Sequence, residues 1–572
     1  MDNVENTRQK PKYEVVFSGN NFHLHVLSLR VHIHQIKNFM QSADVIVIGS
    51  GHNGLITACF LAKNGYKVLV LERRETIGGA VCTETMFQSE RFPEGFRMDI
   101  GSSAHIMIHQ TGIIEALELT KYGLEYIDLD PFMSFPVPNG KGVIHFWKDL
   151  NKTLESIASV APEDVQNYKD FIEFWSRINK GVLKTFMVPP SGKNIFVEMA
   201  KGQMRDGSMF KKGEQLDGLT KILGSYGEVV DRQFKNPHLK SALLWMAAQS
   251  GPTPDQAATG DFVGWQAMLH ESGAKHPRGG SGMLTQAMKK YLEAHGGQVI
   301  AESPVEKIII KSGNAEGVRT VDGKEYFAKK VVSNAHVQTT MLNLVGQEHL
   351  EASMIRKVEN ISVGNGFGMV IRCAVEELPI YTSCPDDPFV TNGLQLLCPS
   401  RQYMDNAIAD FLRRQAPEKP AVLAMTFSKV DKDVAKSGGH TLFAWAQWHP
   451  YELANGENWD DIKEREAQKI YDVVCDYAPN MKGKLIDWYI QTPLDIERKH
   501  GMLKGNVMHV EMNFNQMFMF RPTPEMSEYR TPIKNLYLSS ASCHPGGGVF
   551  GAAGWNSFQT IMKDFGKKVK GM

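Results

Sequence analysis

Three glycines spaced Gly49-x-Gly51-x-x-Gly54, followed eighteen residues later by Glu72, form the strongest chemical pattern in this chain. The first glycine permits a tight turn, the second lets a diphosphate approach the backbone, and the third lets a helix pack on its strand. The helix that follows offers unpaired N–H groups and the positive end of its dipole to the phosphates. Glu72 is spaced to accept hydrogen bonds from the hydroxyls of an adenosine ribose. A second glycine-rich turn, His544 to Gly554, lies near the other end of the chain. His544 opens that turn, and His105 closes the stretch Arg97–His105. Histidines at such places can relay a proton near neutral pH, or can simply hydrogen-bond to loop backbone. Asp99 and Arg521 read as structural partners of loop backbone. No metal-binding motif, nucleophile elbow or phosphate-transfer loop is present.

The elements that must carry these residues are legible around them. Ala43–Gly49 is a short, continuous apolar run rich in β-branched residues, as a strand buried on both faces should be. Leu55–Gly65 has helical periodicity, and Tyr66–Glu72 supplies a second strand. Downstream, His276–Ile310 reads as a turn, an amphipathic helix, and strand segments on either side of Val305. Gly317–Ala335 reads as a hairpin with an Asp322-Gly323 turn and then a buried strand. Asn535–Met562 reads as a last strand, a glycine loop and a closing helix. The glycines of Gly364–Cys373 lead into a strand rather than a helix, so no second dinucleotide unit is expected there.

Length and composition set the limits. At 572 residues the chain exceeds one simple core. Its 63 basic residues balance 63 acidic ones, which gives no electrostatic footprint for nucleic acid. Seven scattered cysteines without a Cys-x-x-Cys pair indicate a reduced protein with neither a disulfide framework nor a zinc site. No apolar run is long enough to span a bilayer. Residues 1–42 carry His23, His25, His32 and His34 but no signal-peptide layout. Asp2 and Glu5 argue against a transit peptide, and this extension is set apart from the fold.

Glu72–Ala80, Glu-Arg-Arg-Glu-Thr-Ile-Gly-Gly-Ala, resembles the glutamate, arginine, Gly-Gly pattern of the large flavin oxidoreductase superfamily. The resemblance implies FAD, with Arg74 beside the adenosine and diphosphate and with Gly78, Gly79 and Ala80 passing close to the cofactor. Arg97–His105, His276–Leu284, Lys330–Thr340, Gly438–Glu452, Thr492–His509 and His544–Gly554 together resemble the phytoene desaturase family. Within it they are most similar to the branch of the pyridine nucleotide-disulfide oxidoreductase domain-containing protein 2 group and the carotenoid ketolases. This implies an α/β protein whose Rossmann-type, glutathione-reductase-like FAD-binding domain (43–120, 275–344, 520–572) is interrupted by an α+β substrate domain (121–274, 345–519). It also implies Gly101 and Ser102 near the flavin ring, Val305 among the cofactor contacts, and Gly547, Gly548 and Val549 at the pyrimidine end of the ring. The disulfide chemistry in that branch name does not carry over, because Met86 and Phe87 stand where a partner for Cys82 would be expected.

The activity so implied is dehydrogenation of a long apolar, isoprenoid- or carotenoid-like substrate, with hydride passing from C–H to flavin N5. A flavin amine oxidase, a polyene isomerase and a non-catalytic flavoprotein partner are the alternatives. Met508, Met512, Met517, Met519 and Met526 read either as an apolar tunnel or as ordinary core. Phe186–Met204, apolar with Lys193 and Lys201, reads either as an interfacial segment or as packed domain interior. The expected partners are an apolar small molecule and a membrane surface, peripherally and on the cytoplasmic side. An organelle, mitochondrial included, stays open, and no oligomeric state is assigned.

Overall fold

Ala43–Ile48 forms strand β1, and its alternate residues enter two different cores. The computed structural model describes residues 43–205 and 214–569; the extension 1–42 lies outside them. Val45 and Val47 pack into one apolar cluster, with α1 (His52–Lys63) and the closing helix Ala552–Asp564. Ile46 and Ile48 pack into the cluster on the opposite face. That two-sided burial is why the run is apolar at every position. Each such side chain contributes about 1.5–3 kcal/mol when fully buried.

β1 pairs in parallel with β2 (Val68–Leu71) on one side and with Glu325–Ser333 on the other. Gln298–Ile300 extends the parallel ladder beyond β2, and Leu536–Leu538 extends it beyond Glu325–Ser333. Val305–Lys311, Asn314–Thr320 and Glu325–Ser333 form an antiparallel meander at the edge of the same sheet. Gly323 turns its last hairpin with φ +81°, a conformation that glycine adopts at no steric cost.

A second sheet of seven strands runs in the order 485–491, 366–375, 440–450, 422–425, 394–397, 133–136 and 143–146. It is antiparallel except where Met133–Pro136 meets Leu394–Leu397. Helices from 150 to 272 cover part of it and share its largest apolar core. Arg372, fully buried in the strand Gly366–Val375, ties the second sheet to the small hairpin of Thr83–Met86 and Phe96–Asp99, just ahead of Gly101 and Ser102. It donates to the carbonyls of Asp99 and Ile100 and to Gln491 Oε1, with its guanidinium 4.9 Å from the Phe443 ring centre. Burial pulls its pKa down to about 10, and carbonyl dipoles take over the solvation that water would give.

Candidate functional site

The two glycine turns converge on one cavity of about 680 Å3. Gly49, Gly51, Glu72, Arg74, Gly79 and Ala80 line it from the first half of the chain. Gly101, Ser102, Val305, Gly548 and Val549 complete the set of candidate cofactor residues on its wall. Gly54, Gly78 and Gly547 are not on the wall but shape it. A Cβ on Gly54 would stand 2.7 Å from the Gly49 carbonyl oxygen, so this glycine lets α1 close on its strand. A Cβ on Gly78 would stand 2.3 Å from the Val81 carbonyl oxygen, and one on Gly547 would stand 2.4 Å from Met508 Sδ.

Each part of the wall has a local cause. No side chain caps α1 at Gly51, so the first-turn N–H groups are left for a ligand. The Glu72 carboxylate accepts from Ser50 N (2.8 Å), Ser50 Oγ (2.7 Å) and Arg74 N (3.0 Å), which pins the first glycine turn to the end of β2. Arg74 Nη2 donates to the Gly79 carbonyl at 2.6 Å, while its buried Nη1 has no partner. Gly79 has φ +62°, and a Cβ there would stand 3.0 Å from Gly51 Cα. Ser102 N donates to the Ala80 carbonyl at 2.9 Å and so holds Gly101 and Ser102 beside the Gly-Gly turn. At the C-terminal loop Gly548 has φ +95°, and its Cβ direction meets only open space.

Beyond these residues the second sheet forms a ceiling. Val370 lies opposite Trp445 in one ladder and opposite Gln491 in the next, so the three share one face above the cavity. Met508, Leu503, Val507 and His509 continue the wall. Trp445 Nε1 is buried without a partner.

Of the two readings open for His105 and His544, proton relay or loop partner, the structure places both with the second. His105 is fully buried, its ring bonded to Tyr126 Oη and Ser281 Oγ at 2.8 Å each. Burial pushes its pKa well down. His544 sits between the Phe186 and Phe518 rings, with Nε2 3.1 Å from the Thr185 carbonyl oxygen; burial lowers its pKa to about 4. Neither lines the cavity; both side chains are spent on holding loops. The histidines that do line it are His52, His336, His500 and His509. His336 and His500 stand inside Lys330–Thr340 and Thr492–His509, and His509 ends the latter. Membership of a family-like string does not single them out, because His105 and His544 stand in such strings too and His52 stands in none.

Arg521 and Asp99 hold loops, as their sequence setting indicates. Arg521 donates to the carbonyls of Met508 (2.7 Å), Ala541 (2.8 Å), Val510, Glu511 and Cys543 (3.2 Å each) and Gln516 (3.3 Å). Asp99 accepts from Thr83 Oγ1 (2.7 Å) and Ser281 N (2.8 Å). The methionine run divides: Met508 reaches the cavity, while Met512, Met517 and Met526 are buried in cores. Phe186 is only 2 % exposed and packs on Trp265, Phe518, His544 and Phe550. An interfacial role for Phe186 is thereby overturned, because its ring fills the interior beside the C-terminal loop.

All seven cysteines are free thiols. Cys82 donates to the Gly79 carbonyl at 3.2 Å, and burial raises its pKa. Burial likewise raises Cys543 to about 12. Neither thiol is poised as a thiolate.

A parallel βαβ turn, a ribose-ready carboxylate and a second glycine loop at the far end of one cavity define a dinucleotide-type flavoprotein oxidoreductase. Comparison makes the assignment specific. The chain belongs to the flavin containing amine oxidoreductase family, which matches residues 54–378. It is 28 % identical to rat (Rattus norvegicus) pyridine nucleotide-disulfide oxidoreductase domain-containing protein 2, over 91 % of this chain and 93 % of that one. It is 27 % identical to one of the subunits of the limonene dehydrogenase of Castellaniella defragrans (93 % and 96 % covered). Identity to the lycopene-forming phytoene desaturase of Pantoea ananas is 26 % (89 % and 96 % covered). Among solved structures, an oxidoreductase from Methanosarcina mazei shares the fold with a TM-score of 0.56 at 17 % identity, covering 91 % of this chain and 99 % of that one. FAD is the cofactor, and the residues present fit it. The orphaned Arg74 Nη1, the uncapped α1 N-terminus and the open Cβ direction at Gly548 each leave room for a part of an extended dinucleotide.

Proposed function

We propose that this protein dehydrogenates an apolar substrate, removing one hydrogen as hydride and its neighbour as a proton so that a new C=C bond forms. Bound flavin supplies the hydride acceptor. The chain's own residues align the C–H bond and keep water away, which are the contributions such a step most needs. The observation that carries this reading is the composition of the wall. Among the described residues that line the cavity there is no lysine, and Trp445 is the one Phe, Tyr or Trp ring. Amine oxidases of the same superfamily rely on a lysine-held water and an aromatic pair, for which this wall offers no candidates. Val370, Met502, Leu503, Val507 and Met508 offer apolar contact instead. Two relatives are named for limonene and phytoene, which agrees with an isoprenoid-like substrate.

The test is anaerobic addition of candidate substrates to the yellow holoprotein. Isoprenoid hydrocarbons should bleach the flavin absorbance and yield products two hydrogens lighter. Bleaching by primary amines alone would make the protein an amine oxidase. Products of unchanged mass would make it an isomerase, and a flavin that no candidate reduces would favour a non-catalytic partner.

An apolar substrate partitions into lipid, and exposed apolar side chains on the helices Gly192–Arg205 and Gln215–Leu223 would suit docking on a lipid surface. Phe196 (73 % exposed) and Leu216 (79 % exposed) stand out in solvent, with Met199, Leu219 and Leu223 also exposed. Lys193 is exposed beside them. Among the described residues no helix is long and apolar enough to cross a membrane, so contact would be peripheral. The holoprotein should float with anionic liposomes, and Phe196→Ser with Leu216→Ser should reduce flotation while FAD is retained. Failure of the intact protein to float at low salt would remove the docking reading.

A further inference from the structure

His500 ends the helix Pro493–His500 and faces the cavity with both ring nitrogens buried and without a partner. An imidazole with two unsatisfied nitrogens away from water is costly unless a ligand completes it. The charged groups that bear on it most are all cations: Arg74, Arg372, Lys499 and Arg73. All four already have partners. Arg372 is occupied by two carbonyls and Gln491. Arg73 Nη2 donates to the Lys499 carbonyl at 2.8 Å, and Lys499 Nζ is 2.8 Å from Glu84 Oε2. Only Arg74 keeps a buried nitrogen free, Nη1. Arg74 and His500 thus both lack a counterpart, and an anion that accepts hydrogen bonds suits a site ringed by these cations, although the buried Glu497 Oε2, also without a partner, lines the same cavity one turn back on the helix.

The position of that anion follows from the neighbours. The guanidinium of Arg74 holds the Gly79 carbonyl, and Gly79 lies so close to Gly51 that no side chain fits between them. Gly51 is the uncapped start of α1. Two free donors from side chains and the free N–H groups of α1 therefore border the same stretch of cavity wall. The helix that carries His500 is held in place independently of any ligand. The Arg73–Lys499 carbonyl bond and the Lys499–Glu84 pair fix its C-terminal turn, and a capping box between Thr492 and Asp495 fixes its start.

We propose that His500 is a ligand of the FAD diphosphate, completing with Arg74 the cradle that the α1 N-terminus begins. The cofactor is then gripped from both parts of the protein, since His500 comes from residues that follow the second sheet. The same donors would also suit an anionic group on a substrate, and the choice of ligands separates the two sources.

Apoprotein is titrated with FAD and with ADP, and adenosine binding is followed by ligand-observed NMR. His500→Ala should weaken FAD and ADP by about ten- to a hundredfold, the usual range for one hydrogen bond to a charged group. Adenosine, which has no phosphate, should bind wild type and variant alike. His500→Gln keeps an N–H donor and should recover most of the loss. Unchanged ADP affinity in His500→Ala would overturn the proposal, and would assign the site to substrate if substrate-driven bleaching alone were lost. Equal weakening of adenosine and ADP would overturn it too, because it would place His500 in general packing.

Discussion

Gly51→Val is expected to yield a colourless protein. Gly51 begins α1, with its backbone on the cavity wall. A Cβ at this position would stand 2.5 Å from Asn334 Nδ2. Alanine can be accommodated if the amide end of Asn334 turns aside, so Gly51→Ala should keep FAD with reduced affinity. Valine cannot, because its branch is stiff and occupies the approach that the diphosphate needs. The measurement is the flavin absorbance of the purified variant beside its circular dichroism. A folded, yellow Gly51→Val protein would remove this turn from the cofactor site.

Arg521→Met should cost at least about 3–5 kcal/mol, the range seen when one partner of a buried charged network is removed. Arg521 is fully buried, and six backbone carbonyls solvate it in place of a carboxylate. Burial draws its pKa to about 10, still far above neutrality. The six carbonyls come from 508–516 and 541–543, two irregular segments that carry Met508 and His509 and lead into the glycine loop. Without the guanidinium they would be orphaned together, each at a cost of about 1–3 kcal/mol before relaxation. Urea-induced release of flavin fluorescence should move to clearly lower denaturant. Arg521→Lys should recover little, since one ammonium cannot span six acceptors. A midpoint unchanged in Arg521→Met would show that the segments hold themselves.

The parts of the site that could be read from sequence are those where local geometry and chemistry coincide. The strand–turn–helix around Gly49, Gly51 and Gly54 is one contiguous device, and its residue types follow from backbone constraints. Glu72 and Arg74 follow at the end of the next strand, so their place is fixed by pairing within one βαβ unit. The wall formed by Trp445, Gln491 and Val370 has no such local mark. It exists because three strands far apart in sequence align in register, and nothing along each strand announces which face will meet a ligand. His105 and His544 illustrate the converse. Standing next to a functional segment does not say where a side chain points, and both rings turn into protein. Phe186 failed as a surface residue for a similar reason: an apolar run with lysines does not tell which positions face in.

The first sheet has a consequence for how the protein is made. β1 sits at its centre, yet one of its two neighbours is Glu325–Ser333, and that strand's far side waits for Leu536–Leu538. As the chain leaves the ribosome, an apolar strand edge therefore stays open through most of synthesis, and open edges of this kind invite mispairing. Gly548 and Val549, which line the same cavity as Gly49 and Gly51, are likewise made long after the first glycine turn. Complete enclosure of FAD must then await synthesis of Val549, and a nonsense mutation upstream of Leu536 should leave a protein that can neither close its sheet nor complete its flavin site.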